Sequence, residues 1–273
     1  MNNHELKKHA VHIRQHIIRM VSSAKSGHPG GSLSGADILS VLYFEEMNIQ
    51  DDNVNDYRRD RFILSKGHAS PLLYAALYEK GLLQEDLSSF RQINSKLQGH
   101  PNMNYIAGID MSTGSLGQGL SCAVGMALAN KLENNDYRVY TLLGDGECEE
   151  GQIWEAVMAA AHYKLDNLCA ILDYNGLQID GDITKVMNPE PFDKKFEAFH
   201  WNVMTIDGHD YDAIRGAFQK ARQCMGKPTL IIAKTMKGKG ISFMENNPSW
   251  HGSAPNEEQT KQALAELEVQ INE

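Results

Sequence analysis

The chain has 273 residues, 42% of them hydrophobic, so it can bury a sizeable core and is not a mainly disordered protein. Its 26 lysines and arginines are outnumbered by 35 aspartates and glutamates, and the net charge of −9 disfavours general nucleic-acid binding. No apolar run approaches the roughly 20 residues that span a bilayer, and the charged N-terminal segment lacks the apolar centre of a secretory signal, so no membrane contact is expected.

The first half of the chain predicts helices around one short strand. Apolar residues recur every three or four positions over residues 4–24, which predicts an amphipathic helix. The glycine-rich stretch 26–35 interrupts this pattern, and Ser34 is a candidate cap for a second helix over residues 36–47. Residues 61–65 form an apolar run that predicts a strand, with a further helix after it.

The second half alternates strands with helices. The predicted strands are residues 139–143, 168–172, 203–206 and 230–233. The predicted helices are residues 120–132, 152–163, 213–222 and 256–271. Because the strands are continuous apolar runs, we predict a single α/β domain over residues 1–273, with a parallel sheet and helices on both faces.

Glycines and polar residues follow the predicted strands. The segments at these places are KGHAS, GDG, DYNG and KTMKGKG. In open parallel sheets, ligands bind outside the carboxyl ends of the strands. We therefore expect a binding site where these four segments meet.

Asp145 and Asn175 are the strongest candidates for a metal site. They lie 30 residues apart, which is the length of one strand–helix–strand step, so both can follow neighbouring parallel strands. Carboxylate and amide oxygens suit Mg²⁺, to which substrate phosphates often supply further ligands. The glycines beside Asp145 would let a diphosphate approach, and the helix after Gly151 would point its N-terminus towards it. The alternative is that Asp-Gly and Asn-Gly are ordinary turn dipeptides.

Five of the eleven histidines lie beside glycine or proline. They are His28, His68, His100, His209 and His251. Histidines in such loops suit recognition of anions and hydroxyls and proton transfer near neutral pH, although a single histidine is more often structural. Zinc is disfavoured because neither HExxH nor a paired Cys/His spacing occurs.

The four cysteines form no Cys-x-x-Cys pair and predict reduced thiols in a cytoplasmic protein. The glycines of residues 114–119 do not follow the GxGxxG spacing, which disfavours a dinucleotide-binding dehydrogenase domain. Two interpretations of these glycines stay open. They allow close packing of the following helix, or they expose backbone groups to a ligand.

Seven motifs in this order identify a family. They are SGHPGG, SKGHAS, GHP, STGSLGQGL, GDGECEEG, DYNGLQIDG and KTMKGKG with a later HG. Together they resemble the N-terminal, diphosphate-binding half of the transketolases over nearly the whole chain. The resemblance implies the thiamine-diphosphate-binding fold and the cofactor thiamine diphosphate, held through a divalent cation, normally Mg²⁺ or otherwise Ca²⁺.

The resemblance also implies roles for individual residues. The implied metal ligands are Asp145, Asn175 and the carbonyl of Leu177. The implied cofactor contacts, besides Asn175, are His68, Gly146 and His251 to the diphosphate and the main chain of Gly114 and Leu116 to the rings. The implied catalytic residues are His28 and His100 near the ketose hydroxyls, His251, and Glu150 in a network that joins two active sites.

A complete transketolase continues with a pyrimidine-binding domain, which carries the glutamate that activates the aminopyrimidine, and a C-terminal domain. This sequence ends at Glu273, so the resemblance implies the smaller subunit of a split transketolase. A second, pyrimidine-binding chain would supply the rest in an α2β2-like assembly.

The implied activity is transfer of a two-carbon ketol unit from a ketose or ketose phosphate to an aldose. One alternative is a subunit of another two-chain thiamine enzyme, of the 2-oxo acid dehydrogenase or deoxyxylulose-phosphate synthase type. Another is a non-catalytic transketolase-like binding module.

Overall fold

A five-stranded, all-parallel sheet lies at the centre of the computed structural model, which describes residues 1–179 and 181–272. Its strands are β1 (Arg61–Leu64), β2 (Val139–Gly144), β3 (Leu168–Tyr174), β6 (Asn202–Asp207) and β7 (Thr229–Lys234). The strand order is β1-β2-β3-β7-β6, and β4 (Leu177–Gln178) pairs with β5 (Gly181–Asp182) in a separate antiparallel ribbon. Asp180 of the DYNGLQIDG motif and Glu273 lie outside the described residues.

Helices cover both faces of this sheet, as the sequence predicts. They are α1 (Asn3–Ala24), α2 (Pro29–Leu33), α3 (Ala36–Val41), α4 (Ser70–Glu79), α5 (Gln118–Glu133), α6 (Gly151–His162), α7 (Ile183–Val186), α8 (Phe192–Ala198), α9 (Tyr211–Gln223) and α10 (Glu257–Asn272). Over the described part of the chain, no helix is long and apolar enough to cross a membrane.

The strands are mainly apolar because their buried side chains contribute to two cores. On β1, Phe62 and Leu64 belong to the core beneath α1, α3, α4, α9 and α10, whereas Ile63 belongs to the core beneath α5, α6 and α8. Successive side chains of a strand point to opposite faces, so a sheet that is covered on both sides favours apolar residues at consecutive positions. The predicted parallel sheet is confirmed.

The carboxyl ends of four strands meet at one edge of the sheet. In the register, Gly144 at the end of β2 lies beside Asp173 of β3, which lies beside Ala233 of β7. Leu64, the last residue of β1, pairs with Leu142. This alignment brings together the four glycine-containing segments that the sequence places after strands.

The glycine-rich stretch after α1 differs from the prediction. Residues Pro29–Leu33 form the short helix α2, all of whose residues are buried. Ser34 does not cap α3, whose N-cap is Gly35 without a side-chain hydrogen bond. Instead, the Ser34 hydroxyl donates to Asp173 on the sheet at 2.5 Å, and this buried carboxylate also accepts from Lys66 and Thr235.

A buried ion pair joins α1 to α3. The Arg14 guanidinium donates to both carboxylate oxygens of Asp37, at 3.2 and 2.5 Å, and both side chains are almost fully buried. Burial alone would raise the pKa of Asp37, but Arg14 and His209 hold it well below its usual range. The carboxylate is therefore ionised and compensates a cation that has no access to water.

Asp37→Asn should lower the free energy of unfolding by about 3–5 kcal/mol, because Arg14 would be left buried without a counterion. Urea denaturation against the exposed Asp51→Asn control measures this loss. Since the folded pKa of Asp37 is depressed, its contribution is present above about pH 4 and lost below, so the two proteins should converge in acid. Equal stability of the two variants at neutral pH would contradict the assignment.

Candidate active site

A cavity of about 260 Å³ opens at the carboxyl ends of β1, β2, β3 and β7. Nine of the sequence-predicted site residues line it, namely His28, His68, Gly114, Leu116, Asp145, Gly146, Asn175, Leu177 and His251. The same cavity is lined by Lys66, Glu147 and Lys237, which the sequence did not single out. The segments expected to meet at the sheet edge therefore do meet there.

Asp145 lies at the end of β2 and is 3% exposed. One carboxylate oxygen accepts a hydrogen bond from the Gly146 amide at 2.8 Å, and the other accepts from the Gly176 amide at 2.6 Å. Burial, with the neighbouring Asp173, raises the pKa of Asp145 to about 6. A cation would relieve this cost, and each oxygen keeps a lone pair with which to bind one.

Asn175 and Leu177 complete an oxygen-rich loop beside Asp145. The side-chain oxygen of Asn175 accepts from the Leu177 amide at 3.2 Å, and the carbonyl of Leu177 accepts from the Lys237 ammonium at 2.9 Å. A cation thus already contacts the carbonyl that the resemblance names as a metal ligand. The described residues contain no group of three or more His, Cys, Asp or Glu side chains able to hold a metal, so any metal here would depend on amide and carbonyl oxygens.

Three histidines form a near-equilateral triangle in the cavity. The ring centroids of His28, His68 and His251 lie 5.2 to 5.4 Å apart. Burial is the main cause that lowers the pKa of His28 to about 4, that of His251 to about 3, and that of His68 well below its usual value. The imidazoles are therefore neutral at neutral pH and act as hydrogen-bonding groups.

The tautomer of His251 follows from its contact with Lys237. The Lys237 ammonium lies 3.0 Å from Nδ1 of His251, and an ammonium can only donate, so the imidazole proton is on Nε2. In His28, Nδ1 is buried and has no hydrogen-bond partner within the described structure. A buried polar atom without a partner costs free energy unless a ligand satisfies it, which marks this side of the cavity as a binding surface.

Two lysines supply the positive charge of the cavity. Lys66 is 2% exposed and donates to Asp173 and, at 2.7 Å, to the carbonyl of Gly31. Lys237 is 1% exposed, and burial lowers its pKa to about 8 against the opposing attraction of Asp145. Both lysines follow the carboxyl end of a strand within three residues, and this position in the sequence is what could have predicted them as site residues.

The carboxylate of Glu147 stabilises the wall of the cavity through hydrogen bonds and is not free to bind a ligand. It accepts from the Ser65 hydroxyl at 2.5 Å and from the amides of Gly117 and Gly144 at 2.9 and 3.0 Å. Burial raises its pKa. Its three donors tie the start of α5 to the ends of β1 and β2.

Both interpretations of the glycines in residues 114–119 apply, to different members. Gly114 has φ of +146° and lines the cavity, so its backbone is open to a ligand. Gly119 instead allows close packing, because a Cβ there would lie 2.5 Å from the Ser65 hydroxyl oxygen.

Two predicted site residues lie outside the cavity lining. His100 is next to it, since a Cβ on Gly114 would lie 3.0 Å from the His100 ring. Glu150 is exposed at the N-cap of α6. The N-terminus of α6 does not face the cavity, contrary to the expectation from the sequence. A short 3₁₀ turn, Gly146–Glu149, intervenes, and no residue of α6 lines the cavity.

Comparison with known proteins identifies the family. Residues 6–272 match the family described as "Transketolase, thiamine diphosphate binding domain". The chain belongs to the transketolase family. The 6-deoxy-6-sulfo-D-fructose transketolase subunit SqwG of Clostridium sp. (strain MSTE9) is 46% identical to it over 266 residues, which cover 97% of this chain and 96% of that protein.

Two further transketolase relatives show how the chain compares in length. An apulose-4-phosphate transketolase subunit of Phocaeicola vulgatus is 42% identical over 94% of this chain and 92% of its own length. The solved transketolase of Campylobacter jejuni superposes with a TM-score of 0.92 at 40% identity, over 100% of this chain but 44% of that one. The predicted family and fold are confirmed, and the chain spans less than half of that solved transketolase.

Proposed function

We propose that this chain is the thiamine-diphosphate-binding subunit of a split transketolase. In the proposed reaction, a two-carbon ketol unit passes from a ketose or ketose phosphate to an aldose. The observation that carries the proposal is one cavity that combines an Asp–Asn–carbonyl oxygen set with a cluster of neutral histidines. The near-complete coverage of two named transketolase subunits supports it.

The described residues fit magnesium thiamine diphosphate. The buried Asp145, with its raised pKa, needs a cation, and Leu177 already contacts the Lys237 ammonium. Asp145, Asn175 and the Leu177 carbonyl would hold Mg²⁺ or Ca²⁺, which take oxygen ligands. The lysines and Gly146 would face the diphosphate, whose negative charge would raise the low pKa values of the neighbouring histidines.

The chemistry divides between the cofactor and this chain. When bound, thiamine diphosphate supplies the stabilised carbanion. His251 would donate through Nε2, while the unpartnered Nδ1 of His28 would bind a ketose hydroxyl. His100, beside Gly114, would act at the same end of the cavity. These neutral imidazoles can accept and return protons as alkoxides form and collapse.

The proposed donor and acceptor are defined only as a ketose and an aldose. The two similar transketolase subunits are named for different sugars, so identity to them supports ketol transfer without selecting a donor. The proposed partner is a pyrimidine-binding, C-terminal transketolase chain, in an α2β2-like complex. Glu150, exposed beside the start of α6, would then contact the network that joins two sites.

An assay of the reconstituted two-chain complex tests the proposed reaction. With magnesium, thiamine diphosphate, a ketose phosphate donor and an aldose acceptor, two products are expected. The acceptor becomes a ketose two carbons longer, and the donor leaves as an aldose phosphate two carbons shorter. Decarboxylation of a 2-oxo acid without ketol transfer would instead favour the dehydrogenase or deoxyxylulose-phosphate synthase alternatives. Cofactor binding without either activity would favour a binding module.

His28→Ala and His100→Ala should each reduce turnover by about 10²–10⁴-fold, which is the usual contribution of a positioned proton-transfer group. Affinity for magnesium thiamine diphosphate should stay close to wild type, because neither residue is proposed to contact the diphosphate. Steady-state kinetics and calorimetry on the complex separate the two effects, with His200→Ala, in the loop after α8, as control. Parallel losses of turnover and cofactor affinity would show a cofactor-binding or structural role instead.

A further inference from the structure

His209 bridges two parts of the fold outside the cavity. Its Nδ1 lies 2.7 Å from a carboxylate oxygen of Asp37, and its Nε2 accepts a hydrogen bond from the Met236 amide at 2.9 Å. Because Nε2 accepts, the proton of a neutral imidazole is on Nδ1, which donates to Asp37. One ring therefore links a buried carboxylate to the backbone of the loop after β7.

The Asp37 end of this bridge is rigid. Asp37 accepts from Arg14 on α1 at 2.5 Å and from the Tyr211 hydroxyl on α9 at 2.6 Å. Three helices thus converge on one buried carboxylate that is 3% exposed. His209, which follows β6, hydrogen-bonds to this carboxylate.

The other end of the bridge lies next to a charged group of the cavity. Met236 directly precedes Lys237, whose ammonium contacts the Leu177 carbonyl at 2.9 Å and His251 at 3.0 Å. The next residue, Gly238, donates to the Gly30 carbonyl at 3.0 Å. The loop of residues 235–240 is thus held on both sides of Lys237. Before the lysine, Thr235 hydrogen-bonds to Tyr174 and Asp173, and His209 holds the Met236 amide that directly precedes the lysine.

We propose that His209 is a positioning residue that fixes the loop of residues 235–240 and so places Lys237 against the cofactor site. The inference rests on the proposed function, because it assigns the effect to binding of thiamine diphosphate. His209 is linked to the cavity lining through this backbone bond, so its removal should change cofactor affinity more than the chemical step. The remaining contacts of the loop, at Gly238 and elsewhere, keep the fold intact without it.

Two substitutions at His209 test the bridge. His209→Leu removes both hydrogen bonds, whereas His209→Gln keeps one amide donor and one acceptor and should restore part of the link. His200→Leu, in the loop after α8 and outside the cavity lining, is the matched control. Asp37 is not substituted here, because its loss would leave Arg14 unpaired.

The first readout is amide hydrogen exchange of residues 235–240 in the full chain without cofactor. His209→Leu should speed exchange at Met236 by about three- to tenfold, the range expected for one neutral hydrogen bond. His209→Gln should lie between this value and wild type, and His200→Leu should match wild type. Unchanged exchange at Met236 in His209→Leu would overturn the bridge, whether or not the chain proves to be a transketolase subunit.

The second readout is made on the reconstituted complex. His209→Leu should raise the Kd for magnesium thiamine diphosphate by about three- to tenfold, with kcat at saturating cofactor within about twofold of wild type and partial rescue in His209→Gln. Faster exchange with an unchanged Kd would overturn the link to the cofactor. If the wild-type complex binds no thiamine diphosphate, the proposed function fails, and the exchange result alone still decides the bridge.

Discussion

Asp145→Ala should weaken binding of magnesium thiamine diphosphate by at least about 100-fold while leaving the sheet intact. Loss of groups that merely support a metal ligand costs about 10–100-fold, so loss of a ligand itself should cost at least as much. The diphosphate would also lose the cation that neutralises it in a buried cavity. Calorimetry on the two-chain complex, with and without Mg²⁺, measures the change, and an unchanged affinity would remove the metal assignment.

Control variants separate the loss of the metal ligand from the loss of the backbone hydrogen bonds that Asp145 accepts. Asp145 also accepts from the amides of Gly146 and Gly176, so alanine frees both donors. Asp145→Asn keeps an acceptor oxygen but removes the charge, and it should still lose most of the cofactor affinity. Asp136 is exposed and lies three residues before the start of β2, so Asp136→Asn should bind magnesium thiamine diphosphate like wild type. Circular dichroism of each variant checks that the fold is retained.

The pH dependence of binding follows from the same carboxylate. Because the pKa of Asp145 is raised to about 6, protons compete with the cation well within the accessible range. A proton on Asp145 removes the charge that would bind Mg²⁺, so cofactor affinity should fall as pH drops through about 6 and approach a tenfold loss for each further unit. Asp145→Asn should lack this dependence.

The strands were predictable because a strand buried on both faces forms a nearly continuous apolar run. Predicted and observed bounds differ by at most two residues for each strand of the large sheet, such as residues 168–172 against Leu168–Tyr174. Helix α2 was missed because its sequence, PGGSL, carries two glycines, which weaken helices, although Pro29 suits the first helical position. All five residues are buried, and this tertiary effect stabilises the helix.

The candidate site was partly predictable for a similar reason. Spacing placed Asp145 and Asn175 at the ends of neighbouring strands, and the structure has them lining one cavity. Lys66 and Lys237 belong to the motifs SKGHAS and KTMKGKG, but lysine side chains are usually exposed to solvent. Their burial depends on contacts that the local sequence does not show, such as that of Lys66 with Asp173, which is distant in sequence. Glu147 is one of three glutamates in GDGECEEG, and nothing local distinguishes it from Glu149 and Glu150.

A polypeptide of these 273 residues should show no ketol transfer by itself. Activation of the aminopyrimidine needs a carboxylate opposite its ring, and the only acidic residues among the described cavity lining are Asp145 and Glu147. Asp145 already accepts two backbone hydrogen bonds and is assigned to the metal, and Glu147 accepts three hydrogen bonds. Neither is free to hold the activating proton, so we expect that group to come from outside these 273 residues, as the proposed partner chain would supply it.

We expect the proposed partner to pack on α5 and α6. Leu132 on α5 is 74% exposed and Met158 on α6 is 56% exposed, so both side chains are accessible to it. At Gly125 of α5, a Cβ would meet no atom within 4 Å. Gly125→Arg should therefore leave the chain folded but block a partner that packs on this face.

Reconstitution decides the prediction. The chain alone, with magnesium, thiamine diphosphate and ketose phosphate, should be inactive, because an open half-site also leaves developing charge exposed to water, which weakens its stabilisation. Adding the pyrimidine-binding chain should restore transfer, with co-elution at a mass near two copies of each, and Gly125→Arg should lose both. Robust transfer by the 273-residue chain alone would overturn the split-subunit proposal, because every group needed for activation would then lie within it.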